Sequence, residues 1–420
     1  MTWVKASGPF SFIRLDEAAV SLSMLKLARA TTSPSTALAP FISRRAILLG
    51  AAACHGAKVQ SQTMPAISGT DTDGTFLLAG KRTFLHGLYQ LPNCPEPLQA
   101  AAAAGFHVVS GSSQADLDAA ASAGIYRWIA TGTAPPRITA MVSQFRSQAR
   151  LLFWETEDEP SYQWKNPAPR VAPATIRAAY ALLKKLDPGR SVYLNHPPVN
   201  LVSTLQQYNP GGDILATDIY PVIPRGIREQ FGLWPSGRQG DLLNTHISQV
   251  GQYMDKLRQV AGPQRSAVMV LQAFAWENLR EKERDVAMVR YPSGEELRFM
   301  AFHAIVRGAN GLIWWGLKFT PAGVPLWDNL AVLTRELRGL DRELVAPSLR
   351  LAGARLQYHD TGHSLDRGVE WVAKPSTTGP VLLAVNADPN PVEVTIHGVF
   401  RQPRRESIEA FGVRVLRAVG

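Results

Sequence analysis

The feature that most constrains this chain is a strict alternation of short apolar, β-prone runs with longer helical patterns. Strand-like runs fall near 84–89 (FLHGLY), 106–110 (FHVVS), 125–130 (IYRWIA), 151–155 (LLFWE), 191–195 (SVYLN), 214–220 (ILATDIY), 267–274 (AVMVLQAF) and 311–316 (GLIWWG). Helical patterns near 96–104, 114–123, 137–149, 172–186, 199–207, 241–260 and 293–308 separate them, and another near 326–344 follows the last run. Eight strands alternating with eight helices predict a closed parallel (β/α)₈ TIM barrel, since parallel neighbours need a crossover helix between them. Ser293 and Glu296 form a capping box ahead of apolar Leu297, Met300, Ala301, Ala304 and Ile305, which sets the start of one such helix. AAAAGFHVV and AAASAGIYRWI share a second logic: an alanine-rich helix, a glycine stop, then a strand.

After residue 346 the period changes. RLQYHD, VEWVAKP, PVLLAVNAD and VEVTIHG read as short antiparallel strands separated by turn residues, so a small all-β, sandwich-like domain is expected over 346–420, behind a barrel over 76–345. Residues 58–75, rich in Ser, Thr, Gly and Asp, are expected to be a linker. The connections 221–240, after strand six, and 275–292, after strand seven, are longer than a barrel requires. Such loops lie on the C-terminal face, where barrels bind substrates.

Residues 1–57 read as a signal region. Ser43-Arg44-Arg45-Ala46-Ile47-Leu48 resembles a twin-arginine export signal, and Ala51-Ala52-Ala53 offers a cleavage site. An exported protein, periplasmic or extracellular, is expected. The apolar stretch is too short to span a bilayer, so no stable membrane insertion is expected; Cys54 leaves a weak lipid-anchor reading. With Cys54 and Cys94 as the two cysteines, neither a disulfide framework nor a cysteine metal site can be assembled. The formal charge of +10 invites a nucleic-acid reading. The basic residues are scattered (Arg127, Arg146, Arg258, Arg280, Arg307, Arg338), however, and no RNA-binding motif accompanies them, so no nucleic-acid partner is expected.

The chemistry concentrates in LLFWETEDEPSYQW, residues 151–164, where Glu155, Glu157, Asp158 and Glu159 follow a buried-looking strand in a chain with only 19% charged residues. Alternation along an extended segment would send Glu155, Glu157 and Glu159 one way and Asp158 the other. Carboxyls crowded at a barrel rim raise one another's pKa and keep a proton near neutral pH, which glycosidic cleavage requires of its general acid. Asp158-Glu159-Pro160 resembles the Asn-Glu-Pro of (β/α)₈ glycoside hydrolases, with Asp in place of Asn. RYPSGEELRFMAFHAIVRGANGLIWWG (290–316) resembles the helix and eighth strand of bacterial barrel hydrolases that act on glycans; the similarity runs over roughly 80–345.

That resemblance implies a glycoside hydrolase acting on a carbohydrate substrate, with Glu159 as acid/base and no cofactor or metal. It also implies a glutamate at the end of strand seven, where this chain has Gln272. Glu277 and Asp218 are the rival partners, and Asp158 could orient a water or a 2-hydroxyl. Retaining and inverting mechanisms both stay open. Aromatic and polar residues at strand ends, namely Tyr89, Trp154, Tyr220, Trp276, Trp314 and Trp315 with His86, Asn195, His196 and Gln272, are candidates for sugar contact. Of Trp314 and Trp315, only one can face the barrel interior. Two alternatives remain: a carbohydrate-binding barrel that has lost its nucleophile, motivated by Gln272, and a metal-dependent barrel hydrolase using His86 and Asp218. No H-E-x-x-H, Walker A, Rossmann or G-x-S-x-G motif occurs.

Overall fold

The strand-forming runs become strands because their apolar residues can be buried on both faces, as a sheet enclosed by helices demands. The computed structural model describes residues 67–163, 168–224, 244, 246–280 and 282–417. The export-like segment, Cys54 and most of the 221–240 connection lie outside the described residues. Three short strands, β1 (Ser68–Thr70), β2 (Phe76–Leu78) and β3 (Lys81–Arg82), form a small antiparallel sheet. Eight more then close into a parallel barrel: β4 (Leu85–Leu88), β5 (Val108–Gly111), β6 (Tyr126–Ala130), β7 (Leu151–Glu155), β8 (Ser191–His196), β9 (Ile214–Ile219), β10 (Ser266–Gln272) and β11 (Gly311–Trp315). The last strand pairs with the first, Gly311 opposite Leu85 and Trp314 opposite Leu88, which closes the cylinder.

The helices α1 (Pro97–Ala104), α2 (Gln114–Ala123), α3 (Pro135–Phe145), α4 (Pro173–Leu186), α5 (Val202–Gln206), α6 (Gln249–Ala261), α7 (Gly294–Val306), α8 (Leu326–Arg338) and α9 (Asp341–Val345) complete the layer. The two alanine-rich patterns end as their glycines require: Gly105 and Gly124 cap α1 and α2 at φ of 100° and 74°, a region that disfavours any side chain. Ser293 and Glu296 form the reciprocal capping box of α7. The single helix expected over 326–344 is broken at Gly339 into α8 and α9.

Residues 68–70, expected within a linker, are instead strand β1, and their sheet is tied to the barrel wall. Ser68 Oγ donates to Leu152 O (2.6 Å) and accepts from Ser191 N (2.9 Å), and Phe76 meets Phe153 edge-on at 6.5 Å. The Asp- and Gly-rich turn between β1 and β2 hid this sheet from a reading based on periodicity. Inside the cylinder, Leu85, Val108, Trp128, Phe153, Tyr193, Val268, Val270 and Ile313 form one buried cluster. The other face of the same strands packs against the helices.

Six C-terminal strands, β12 (Arg355–His359), β13 (Val369–Lys374), β14 (Val381–Asn386), β15 (Val392–His397), β16 (Arg404–Ile408) and β17 (Val413–Arg417), make two antiparallel three-stranded sheets in the orders β12-β15-β16 and β13-β14-β17. Val369, Leu382, Val394, Ile396 and Ile408 share a buried cluster there. On α7, His303 Nε2 meets Glu370 of β13 at 2.7 Å, and Arg307 pairs with the same carboxylate. Ser68→Ala is expected to lower stability by about 1–3 kcal/mol, because it orphans one buried carbonyl and one buried N–H; urea midpoints of the two proteins measure this.

Candidate active site

Strand parity decides what reaches the cleft. On β7, Phe153 belongs to the inner cluster and Trp154 to the outer one, so Glu155 points inward. Glu155 is buried, and its Oε2 accepts from Trp128 Nε1 at 2.9 Å, while Oε1 has no hydrogen-bond partner among the described residues. Beside it, the Tyr89 and Tyr193 hydroxyls meet at 3.1 Å over Trp128. Desolvation, with the Asp158 charge adding to it, pushes the Glu155 carboxyl up to about 8 against the opposing indole hydrogen bond.

Beyond Glu155 the chain leaves the extended conformation. Glu159 sits at φ of 47°, a left-handed conformation costly for a side-chain-bearing residue and worth a functional question wherever it occurs. Its N–H donates to Asn195 O at 3.1 Å. The turn brings Asp158 and Glu159 into one cluster, whereas simple alternation would have separated them. Asn195 Nδ2 donates to Asp158 Oδ1 (3.0 Å) and to Asp218 Oδ1 (3.3 Å), so one amide fastens acids from the β7 loop and β9 together.

Glu159 and Asp218 are both buried and in side-chain hydrogen-bonding contact. Burial raises the Glu159 carboxyl well above the usual range, the Asp218 and Asp158 charges raise it further, and Arg170, 3.3 Å from Oε2, opposes them. Burial also raises Asp218, but there the hydrogen bond with Glu159 acts downward. The two buried carboxyls thus press on one another, with Glu159 raised by its neighbour and Asp218 lowered by it. Asp158 is raised by desolvation yet reaches solvent at the mouth of the cleft.

An aromatic wall adjoins the acids. Tyr220 and Trp315 stack at 5.4 Å and 25°, Phe274 meets both rings edge-on, and Trp276 Nε1 donates to Tyr220 O at 3.2 Å. Tyr220 is near enough to Asp218, Asp158 and Glu159 that their charges, added to burial, push its hydroxyl well above its ordinary value.

Several expected contacts do not form. His86, Trp154, His196 and Trp314 lie on the outward parity of their strands. His86 stacks on His107 and approaches Asp341, and Trp154 Nε1 donates to Asp187 (2.9 Å). His196 lies toward Asn209 and Lys256, with its ring pushed down to about 3 by burial, and Trp314 packs in the outer core. None of the four faces the acids, so the metal-dependent reading loses His86. Gln272 is inward but saturated: Oε1 accepts from Val222 N (2.8 Å) and Nε2 donates to Val222 O and Phe274 O, both at 3.0 Å. It clamps the chain after β9, with both of its amide hydrogens committed to backbone. Glu277 is 1% exposed, with Oε1 accepting from Asp285 N (2.7 Å) and Oε2 paired with Arg280 at 3.4 Å. It staples its own loop.

The residues that join the site unannounced are Trp128, Tyr193, Arg170 and, as an inward acid, Glu155. Parity from Phe153 to Glu155 and from Tyr193 to Asn195 carries the signal for two of them; Trp128 lies on β6, and Arg170, on an irregular loop, has none. No group of three or more His, Cys, Asp or Glu arranged to take a metal ion is present among the described residues.

A carboxyl raised on folding binds its proton more tightly in the native state than in the unfolded one, so its contribution to stability is present below the unfolded value and lost as pH rises through the folded one. For Glu155 that window runs from its ordinary 4.5 to about 8. Glu155→Gln is expected to flatten the loss over this window and to gain on the wild type by about 1 kcal/mol or more at its upper end. Thermal or urea melts at both ends of the window check the sign.

No protein-family model matches the sequence, and no curated protein matches it. Among solved structures it is similar to a β-galactosidase from the psychrophilic Marinomonas ef1, with 10% identity and a TM-score of 0.45 over 61% of this chain and 60% of that one. It is similar also to a family 39 glycoside hydrolase from Bacteroides cellulosilyticus, with 12% identity and a TM-score of 0.44 over 74% of this chain and 72% of that one. A third is a family 5 mannosidase from Rhizomucor miehei, with 11% identity and a TM-score of 0.45 over 67% of this chain and 100% of that one. The chain thus spans 60% of the length of the β-galactosidase it matches.

Proposed function

We propose that this barrel is a glycoside hydrolase in which Glu159 is the general acid. One observation carries the reading: a buried, hydrogen-bonded carboxyl pair, Glu159 and Asp218, stands at the ends of the fourth and sixth barrel strands beside a stacked aromatic wall. An acid that keeps its proton at neutral pH is what a leaving glycosidic oxygen needs, and aromatic faces suit the apolar faces of sugar rings. Asp218 holds that proton in place through its own negative charge. Tyr89, Asn195, Tyr220, Trp276 and Trp315 are the sugar-contacting residues in this reading. The Arg44-Arg45 segment supports action outside the cytoplasm.

Glu159→Gln is expected to lower kcat/KM on the glycan substrate by about 10²–10⁴-fold with an unchanged melting temperature. Asp218→Asn removes a charge that raises Glu159, so the basic limb of the kcat/KM profile is expected to move to lower pH by about one unit. A basic limb that stays in place would remove Asp218 from this role.

A second reading is a carbohydrate-binding barrel without turnover, and the clamped amide at the end of the seventh strand favours it. Calorimetry on a glycan panel separates the two. Binding without product formation by the wild type, unaltered by Glu159→Gln, would support the binding reading.

A further inference from the structure

We propose that the sugar bound beside Glu159 carries a 2-acetamido group, and that the carbonyl oxygen of this group attacks the anomeric carbon in place of an enzyme carboxylate. The proposal rests on the glycosidase reading above. Glycosidases that use two carboxyls hold them about 5–5.5 Å or about 6.5–9.5 Å apart, with the sugar between them. Here the carboxyl nearest Glu159 is in hydrogen-bonding contact with it, and neither a ring nor a water fits between groups so paired. The two candidates beyond the sixth strand are committed elsewhere, Gln272 to backbone and Glu277 to Asp285 and Arg280. The acids cluster on the β7–β9 side, and Tyr220, which follows β9, joins them to Trp315 and Trp276.

The acid side is rich in acceptors for an N–H. Asp158 opens to the cleft, and Asn195 Oδ1, buried at 4% exposure, has no hydrogen-bond partner among the described residues. An amide suits this corner on each of its parts: its N–H meets Asp158 or Asn195 Oδ1, and its methyl meets the Tyr220–Trp315 rings. The carboxylate holds the amide so that the carbonyl oxygen points back at its own ring. A 2-hydroxyl offers no such nucleophile.

The steps balance without a co-reactant beyond water. The acetamido oxygen forms a bond to C1 as the bond from C1 to the leaving oxygen breaks, and that oxygen takes the proton of Glu159. The resulting oxazolinium ion is stabilised by the Asp158 carboxylate at its N–H. Water then adds to C1, the bond from C1 to the acetamido oxygen breaks, and the water's proton returns to Glu159. Two inversions at C1 give net retention.

The test compares glycosides differing only at C2. Aryl β-glycosides of gluco and galacto configuration are assayed with 2-acetamido, 2-trifluoroacetamido or 2-hydroxy substituents, beside chitin and cellulose oligosaccharides. Binding of the gluco and galacto 1,2-fused thiazolines, which mimic the oxazolinium ion, is measured by calorimetry. Cleavage of the acetamido series about a hundredfold faster than the hydroxy series, a further loss of about tenfold or more on fluorination, and thiazoline binding are expected. Asp158→Asn should weaken thiazoline binding and lower kcat on acetamido substrates. Equal rates on the hydroxy series overturn the proposal and leave the glycosidase reading standing. Failure of both thiazolines to bind overturns the proposal, whatever the turnover. Failure to cleave any glycan counts against the glycosidase reading.

Discussion

Closing eight parallel strands into a cylinder makes adjacent strand residues alternate between the axis and the helices, a rule broken at Leu152–Phe153, which share the inner cluster beside the register shift between β6 and β7. The site depends on this constraint. It sends Tyr193 and Asn195 inward while Leu194 and His196 go outward, and it turns Trp315 to the cleft while Trp314 is buried under helices. A one-residue slip of β11 against β4, where Gly311 meets Leu85, would exchange Trp315 with Trp314 and take one ring out of the aromatic wall. Gly311 makes that seam possible, since a Cβ there would lie 2.6 Å from Leu85 Cβ.

Within the cylinder the acids are held against their mutual repulsion. Charge buried without partners is expensive, so raised carboxyls persist only where the frame around them is rigid. Asn195 supplies that frame three times over, through Nδ2 to two acids and through its carbonyl to the N–H of Glu159. The left-handed backbone at Glu159 belongs to the same arrangement, because it folds the β7 loop back toward β9. Trp128 and Arg170 oppose the burial of Glu155 and Glu159, one through an indole N–H and the other through a guanidinium.

Much of this was legible in the residues. The eight strands and the change to antiparallel pattern after 346 followed from periodicity, since apolar spacing is what the fold selects. Glu159 entered through the resemblance of Asp158-Glu159-Pro160 to Asn-Glu-Pro, and Asp218 through its place at the end of the sixth strand. The errors have a common physical origin. His86, Trp154, His196 and Trp314 are chemically apt residues near strand ends, but they stand on the outward parity of their strands. Tyr193, two before Asn195, would have supplied that parity for β8, and Ile313 for β11. Arg170 and the Glu159 turn lay beyond reach for a different reason: irregular loops carry no period. β1 was hidden because three residues bounded by Asp and Gly look like linker until their hydrogen bonds to Leu152 and Ser191 are known.

Gln272 and Glu277 show why an acidic residue near a strand end is a weaker signal than its unsatisfied capacity. Gln272 stands on the inward parity, yet three backbone hydrogen bonds hold its amide and use both of its donors. Glu277 is an acid beside the cleft, yet Asp285 N and Arg280 take both its oxygens. Glu155 Oε1 and Asn195 Oδ1, by contrast, are buried without a partner among the described residues. A buried polar atom left so costs about 1–3 kcal/mol, a cost that structural polar groups avoid and ligand-binding groups incur. At the acid cluster that unmet capacity belongs to Glu155 on β7 and Asn195 on β8, whereas Gln272 and Glu277, where a second carboxylate would ordinarily be sought, are held by their own surroundings.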